Sequence, residues 1–256
     1  MALDVTAGIR HVIDKHRNEG RPEIVHIAHS AGGALLQYIL RDGLHSPADP
    51  KSDSQAYVIG RIALLGVTPW YGSIGIYWNW VKLDPFHPPP DVPPSFRTPA
   101  VALSSTRLIK HAFFCDACPD ERVREFETQE MAPYESPGWP LATFLVFADP
   151  ERITGAVGPS NFSGHEAIED SRPRALVIAG GKDVLIKPRI MEKLTGLLRE
   201  AARLVFGSVA GDGESREESG MESTSGSFRV VPGGGHQLMN DIHWEEGAER
   251  ILGFLQ

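Results

Sequence analysis

The hydrophobic positions change period several times along the 256-residue chain, and each change predicts an element. Val5, Ile9, Val12 and Ile13 recur at helical spacing, which predicts an amphipathic helix opening almost at Met1. "RNEGRP" breaks it. "EIVHIA" follows as a short, nearly continuous apolar run, the pattern of a parallel strand buried on both faces. Helical character then runs from Ala31 to about Asp42, with Gly43 as a stop signal. "RIALLGV", Arg61 to Val67, predicts a second buried strand, so the chain begins as a β-α-β unit.

From Thr68 the pattern breaks. Trp70, Tyr71, Tyr77, Trp78 and Trp80 crowd together, and "LDPFHPPPDVPPSFRTP" then holds seven prolines in seventeen residues. Such a stretch can be neither helix nor central strand. Helical spacing returns in "CPDERVREFETQEM". Residues 68–171 therefore read as a cap or lid inserted between two strands. The sheet resumes at "RALVIAGG", Arg174 to Gly181. A helix over Arg189 to Arg203 follows, with Ile190, Leu194, Leu197, Leu198 and Ala201 on one face. "GSVAGDGESREESGMESTSGS" is polar and aperiodic, which predicts a flexible surface insert. "FRVVPGGGH" predicts the last strand and its exit loop. Trp244, Ala248, Ile251, Leu252 and Leu255 mark a final helix. The expected fold is α/β, a mostly parallel sheet flanked by helices. Residues 1–67 and 172–256 form the two parts of one core, and 68–171 the cap.

Composition narrows the function. A net charge of −8 argues against nucleic acid and against anionic membrane surfaces, and fits a small-molecule substrate. Two cysteines make no disulfide framework. With no leader pattern and no long apolar run, the expectation is a cytoplasmic protein.

The junction at "AHSAGG" carries the main chemical signal. A strand running directly into a helix must reverse within about three residues. The apex residue is strained, and its side chain projects from the sheet edge beside the free N–H groups of the helix. The apex here is Ser30. Ala28 and Gly32 flank it as small residues, and Gly33 adds clearance. The plainer alternative is that Ser30 caps a helix.

These residues resemble the nucleophile elbow G-x-S-x-G of the α/β-hydrolase superfamily, with Ala28 in place of the first glycine. The resemblance implies a serine nucleophile, an acid after a late strand and a histidine after the last one. "LVIAGGKDVLIKP" offers Asp183 and "VVPGGGHQLM" offers His236, in the family's order. It implies oxyanion stabilisation by the Ala31 N–H and no metal or other cofactor. Family members carry further strands before the elbow and a loop with a second oxyanion donor. Neither has a counterpart before Ser30 in this sequence, so the fold reads as N-terminally shortened. The missing donor implies a loss of roughly 10²- to 10³-fold in turnover. The elbow strand is then expected at an exposed sheet edge, open to a second copy of the chain in a homo-oligomer. The implied activity is hydrolysis of an ester, a lactone or a related carbonyl compound, including small secondary metabolites. The same triad also serves C–C cleavage, thioesterase and lyase chemistry. The alternative is a catalytically weak or inactive hydrolase fold that acts as a binding protein.

Other residues draw blander readings. Asp149 and Glu166 are weaker candidates for the acid, because neither follows a clear strand. "CDAC", Cys115 to Cys118, has the spacing of a redox pair or half a zinc site, but reads better as a helix start in the cap. His29 reads as structural or pocket-lining and His26 as a core histidine. Trp70, Tyr71 and Trp78 are candidates for the pocket wall. The P-x-x-P in "PPPDVPP" reads as a stiff connector rather than a docking motif.

Overall fold

The computed structural model describes residues 2–15, 23–41, 58–83, 105–131, 138–157, 173–207 and 226–256. The Pro-rich connector, the Gly/Ser/Glu-rich insert and Glu166 lie outside them. In chain order the elements are α1 (Ala2–Lys15), β1 (Glu23–His29), α2 (Ser30–Arg41), β2 (Val58–Leu65) and α3 (Ile74–Leu83). Then come α4 (Thr106–Phe113), α5 (Asp120–Gln129), α6 (Gly138–Thr143) and α7 (Pro150–Ala156). The chain ends with β3 (Ala175–Gly180), α8 (Pro188–Gly207), β4 (Ser227–Val231) and α9 (Trp244–Leu255).

The four strands form one parallel sheet in the order β1-β2-β3-β4. Because all four run the same way, each connection must cross back over a face, and helices supply that cover. The near-continuous apolar strands follow from this. Ile62, Leu64, Val177 and Ala179 face one way, into a core shared with Leu36 and Leu40 of α2, Ile153 of α7 and Leu194 and Leu198 of α8. Ala63, Leu65, Leu176 and Ile178 face the other way, against Phe254 of α9 and Leu238. Each fully buried Leu or Ile in these strands contributes roughly 2 kcal/mol.

Between β2 and β3 the regular elements among the described residues are all helices. α7 packs on α2 and α8, while α4 packs on α5. Among the described residues β1 is one edge strand of the sheet, opposite β4, and Ile27 on it is 56% exposed. The helix expected at the start is present as α1, but two residues of its apolar stripe face solvent. Val5 and Val12 are 38% and 53% exposed, while Thr6 is buried and donates to the Ala2 carbonyl at 2.9 Å. A helical period shows that a helix can form, not which side is covered. Among the described residues no helix is long and apolar enough to cross a membrane.

Candidate active site

The serine is set by a turn with no spare residue. β1 ends at His29 and α2 begins at Ser30. The reversal falls on Ser30 itself, which takes φ +49°, the one positive φ at a non-glycine among the described residues. Such a conformation costs on the order of 1 kcal/mol or more and persists only where the surroundings enforce it. They do so from the segment after β2. The Thr68 N–H donates to the Ser30 carbonyl at 3.1 Å. Buried Gln37 donates to the carbonyls of Gly33 and Thr68 and accepts from the Trp70 N–H, locking the first turns of α2 to that segment.

The small residue this packing requires is Gly33. A Cβ there would run into the Val67 side chain, whereas a Cβ at Gly32 would meet nothing within 4 Å. This corrects the expectation drawn from motif spacing. The close approach is one residue further into the helix, because the segment after β2, not β1 alone, presses on α2. Ala28 lies partly buried against the core, as a small residue before the apex should.

The acid is held locally. Asp183 stands three residues past β3 and is 4% exposed. Its Oδ1 accepts from the N–H groups of Leu185 at 2.9 Å and Ile186 at 2.7 Å. These short-range bonds fix the carboxylate and leave Oδ2 free to point elsewhere. The histidine follows β4 on "PGGGH". That loop zips to the acid loop through Gly181 N–H to the Val231 carbonyl at 2.8 Å and Lys182 N–H to the Gly234 carbonyl at 2.9 Å.

The three side chains meet. His236 Nδ1 lies 2.8 Å from Asp183 Oδ2, and His236 Nε2 lies 3.0 Å from Ser30 Oγ. An ionised carboxylate only accepts, so the proton sits on Nδ1 and Nε2 is left to accept from the serine hydroxyl. Gly66, with φ +47°, lies beneath the pair. A Cβ on it would lie 3.4 Å from Asp183 Oδ2 and 3.5 Å from His236 Nδ1. Sequence reasoning missed this residue, although a glycine directly after a buried strand was a usable signal.

The backbone around His236 is held from three directions. The His29 ring donates from Nε2 to the His236 carbonyl at 2.9 Å, and the two rings lie 4.8 Å apart. The Phe113 carbonyl at the end of α4 accepts from the Gln237 N–H at 2.7 Å, and its ring stacks 5.8 Å from the imidazole. Asp241, fully buried, accepts from the Gly235 N–H at 3.1 Å, the Cys115 N–H at 2.8 Å and the His243 N–H at 3.2 Å. Sequence reasoning singled out neither Phe113 nor Asp241.

The remaining candidates scatter. Trp70 is 3% exposed and belongs to the core, so it forms no open pocket wall. Trp78 is 59% exposed on α3, with Lys82 over its ring. Tyr71 is tied to α8, its hydroxyl donating to the Ile190 carbonyl at 3.1 Å, and burial pushes its pKa up to about 12. Asp149 is an N-cap, accepting from the Glu151 and Arg152 N–H groups at the start of α7. Burial lowers the pKa of His26.

Cys115 and Cys118 are buried, and desolvation raises both thiols, Cys118 to about 11. A reactive thiol needs the opposite shift. Cys115, Asp241 and His243 bring one ligand atom each within 4.8 Å of one another, the one such group among the described residues. The Asp241 carboxylate there already takes three backbone N–H bonds, which suits a staple for the loop.

No protein-family profile matches the chain, and no curated protein matches its sequence. Solved structures do resemble it. A serine hydrolase involved in carbazole degradation (CarC) matches at 14% identity and TM-score 0.49, over 100% of this chain and 71% of that one. A bromoperoxidase from Bacillus anthracis matches at 11% identity and TM-score 0.48, over 98% of this chain and 72% of that one. A meta-cleavage product hydrolase (CumD) matches at 15% identity and TM-score 0.42, over 91% of this chain and 65% of its own length, less than two thirds. The architecture itself is α/β-hydrolase-like. A parallel sheet carries a strained serine at a strand–helix turn, with an acid and a histidine on the exit loops of its last two strands.

Proposed function

We propose that the protein is a serine hydrolase acting on an ester, a lactone or a related carbonyl substrate, with Ser30, His236 and Asp183 as its catalytic residues. One observation carries this reading: a single imidazole spans a serine hydroxyl at 3.0 Å and a buried carboxylate at 2.8 Å. A serine hydroxyl is a poor nucleophile until a base within hydrogen-bond reach takes its proton. Ser30 Oγ attacks the carbonyl carbon as its proton passes to His236 Nε2. Asp183 holds the imidazole in the required tautomer and stabilises the imidazolium. The Ala31 N–H, in the first turn of α2, donates to the oxyanion. His236 then protonates the leaving group, and water repeats the sequence to release the acid. The helices α3 to α6 form the cap, and Phe113 is part of the pocket wall.

The test is covalent. A fluorophosphonate probe should label the folded protein on Ser30, as read by intact mass and peptide mapping, and Ser30→Ala should abolish the label. A folded protein that takes no label would overturn the reading in favour of a binding role. A panel of p-nitrophenyl esters and lactones then ranks substrates.

A further inference from the structure

We propose that His29 is a positioning residue for His236, acting as a neutral hydrogen-bond donor that couples the base to the nucleophile's own strand. The inference rests on the serine-hydrolase reading of Ser30 and His236.

Two facts about β1 set this up. Its last residue is His29 and the next residue is Ser30, so one peptide unit joins them. In an extended strand successive side chains point to opposite faces, which would send His29 away from the site. The turn breaks that rule. Ser30 takes φ +49° and projects outward, and the His29 ring reaches instead to the backbone of the histidine loop. Its Nε2 meets the His236 carbonyl oxygen at 2.9 Å. A carbonyl only accepts, so this nitrogen carries a proton. Strand β1 thus fixes both reacting groups, Ser30 through the chain and His236 through one hydrogen bond.

The bond must be made by an uncharged ring. His29 lies beside His236, with ring centroids 4.8 Å apart, and His236 becomes positive when it takes the serine proton. A second cation there would oppose that step. Burial and the neighbouring His236 lower the His29 pKa to about 3, so it stays neutral at working pH. The Asp241 and Phe113 contacts hold Gly235 and Gln237, while His29 bonds the carbonyl of the base itself, which also accepts from the Leu238 N–H at 3.0 Å within the loop. A shift of about 1 Å in a reacting group can cost about 100-fold in rate.

The experiment compares fluorophosphonate labelling of Ser30 in wild type, His29→Phe and His29→Gln, over a range of pH. Phenylalanine keeps a flat ring without the donor, and the glutamine amide restores a donor near the position of Nε2. The expected result is a fall of roughly tenfold or more for His29→Phe, with a displaced pH midpoint, and recovery to within about threefold in His29→Gln. Equal rates and midpoints for wild type and His29→Phe overturn the proposal. So does a His29→Gln protein as slow as His29→Phe, which would reduce the role to ring packing. A wild-type protein that takes no label ends the hydrolase reading and this proposal with it. Should His29→Phe fail to fold, nitrogen-resolved NMR of wild-type His29 decides. A neutral ring protonated at Nε2 between about pH 5 and 8 supports the proposal, and a charged ring or the Nδ1–H tautomer overturns it.

Discussion

The acid loop and the histidine loop reach the same point by different means. Asp183 is held by amides two and three residues ahead in its own turn, so its carboxylate is oriented by local chain geometry. His236 has one local bond, from the Leu238 N–H to its carbonyl at 3.0 Å, but the bonds of its ring, to Asp183 and Ser30, both cross the chain. Gly235 is tied to Asp241, six residues ahead, while His236 and Gln237 are tied to β1 and to the end of α4. A local turn forms with few constraints on the rest of the fold. A loop pinned from distant elements is only as accurate as their mutual packing. The site therefore couples a robust acid to a base whose placement reports the state of the whole core.

The largest expected effect separates the chemistry of the acid loop from its structure. Asp183→Asn keeps an oxygen to accept the Leu185 and Ile186 amides, so the turn should survive. The amide nitrogen, however, would face His236 Nδ1 and force the other tautomer, whose Nε2 carries a proton and cannot accept one. Activity on the best p-nitrophenyl substrate should fall by roughly 10⁴-fold. The urea midpoint should move little. A variant that keeps even a tenth of the activity would show that Asp183 does not set the tautomer.

The reverse split is expected in the histidine loop. Asp241→Ala would strand the buried N–H groups of Gly235 and Cys115 and free that of His243. At roughly 1–3 kcal/mol for each unsatisfied buried group, stability should fall by about 3 kcal/mol, read from the urea midpoint. Asp241→Asn, which can still accept, should lose less. If Asp241→Ala proved as stable as wild type, the loop would not depend on that anchor.

This contrast also explains what the sequence made legible. Ser30, Asp183 and His236 could be named because each follows a strand readable from its apolar run, and strand ends share one rim of a parallel sheet. The helices α2, α8 and α9 were equally plain from their period. What could not be read were relations across the chain. Gly33, not Gly32, is the residue under pressure because Val67, from the segment after β2, lies against it. Asp241 stood in an unremarkable turn, and its three amide partners come from residues 115, 235 and 243. Trp70 was grouped with Trp78 by composition, yet one is in the core and the other at the surface. His29 was read as structural or pocket-lining, but its partner, the His236 carbonyl, lies 207 residues further along the chain.

The smallest effect sharpens the remote side of the comparison through pH. His29 titrates at about 3 in the folded protein, depressed by burial first and by His236 next, against smaller upward pulls from its bond to the His236 carbonyl and from Asp183. Its ordinary value is 6.5. Below about 6.5 the unfolded chain binds a proton that the folded chain refuses, so this group removes stability as pH falls towards 3 and has no effect above 6.5. The slope is at most about 1.4 kcal/mol for each pH unit. His26, whose pKa burial also lowers, adds a slope of the same sign that His29 substitutions leave in place. Urea midpoints at about pH 7 and about pH 5 should therefore fall further apart for wild type than for His29→Gln. Equal separations would mean that the His29 ring charges freely in the folded state. A ring that charges freely is not the buried, neutral donor beside His236 that the positioning role requires.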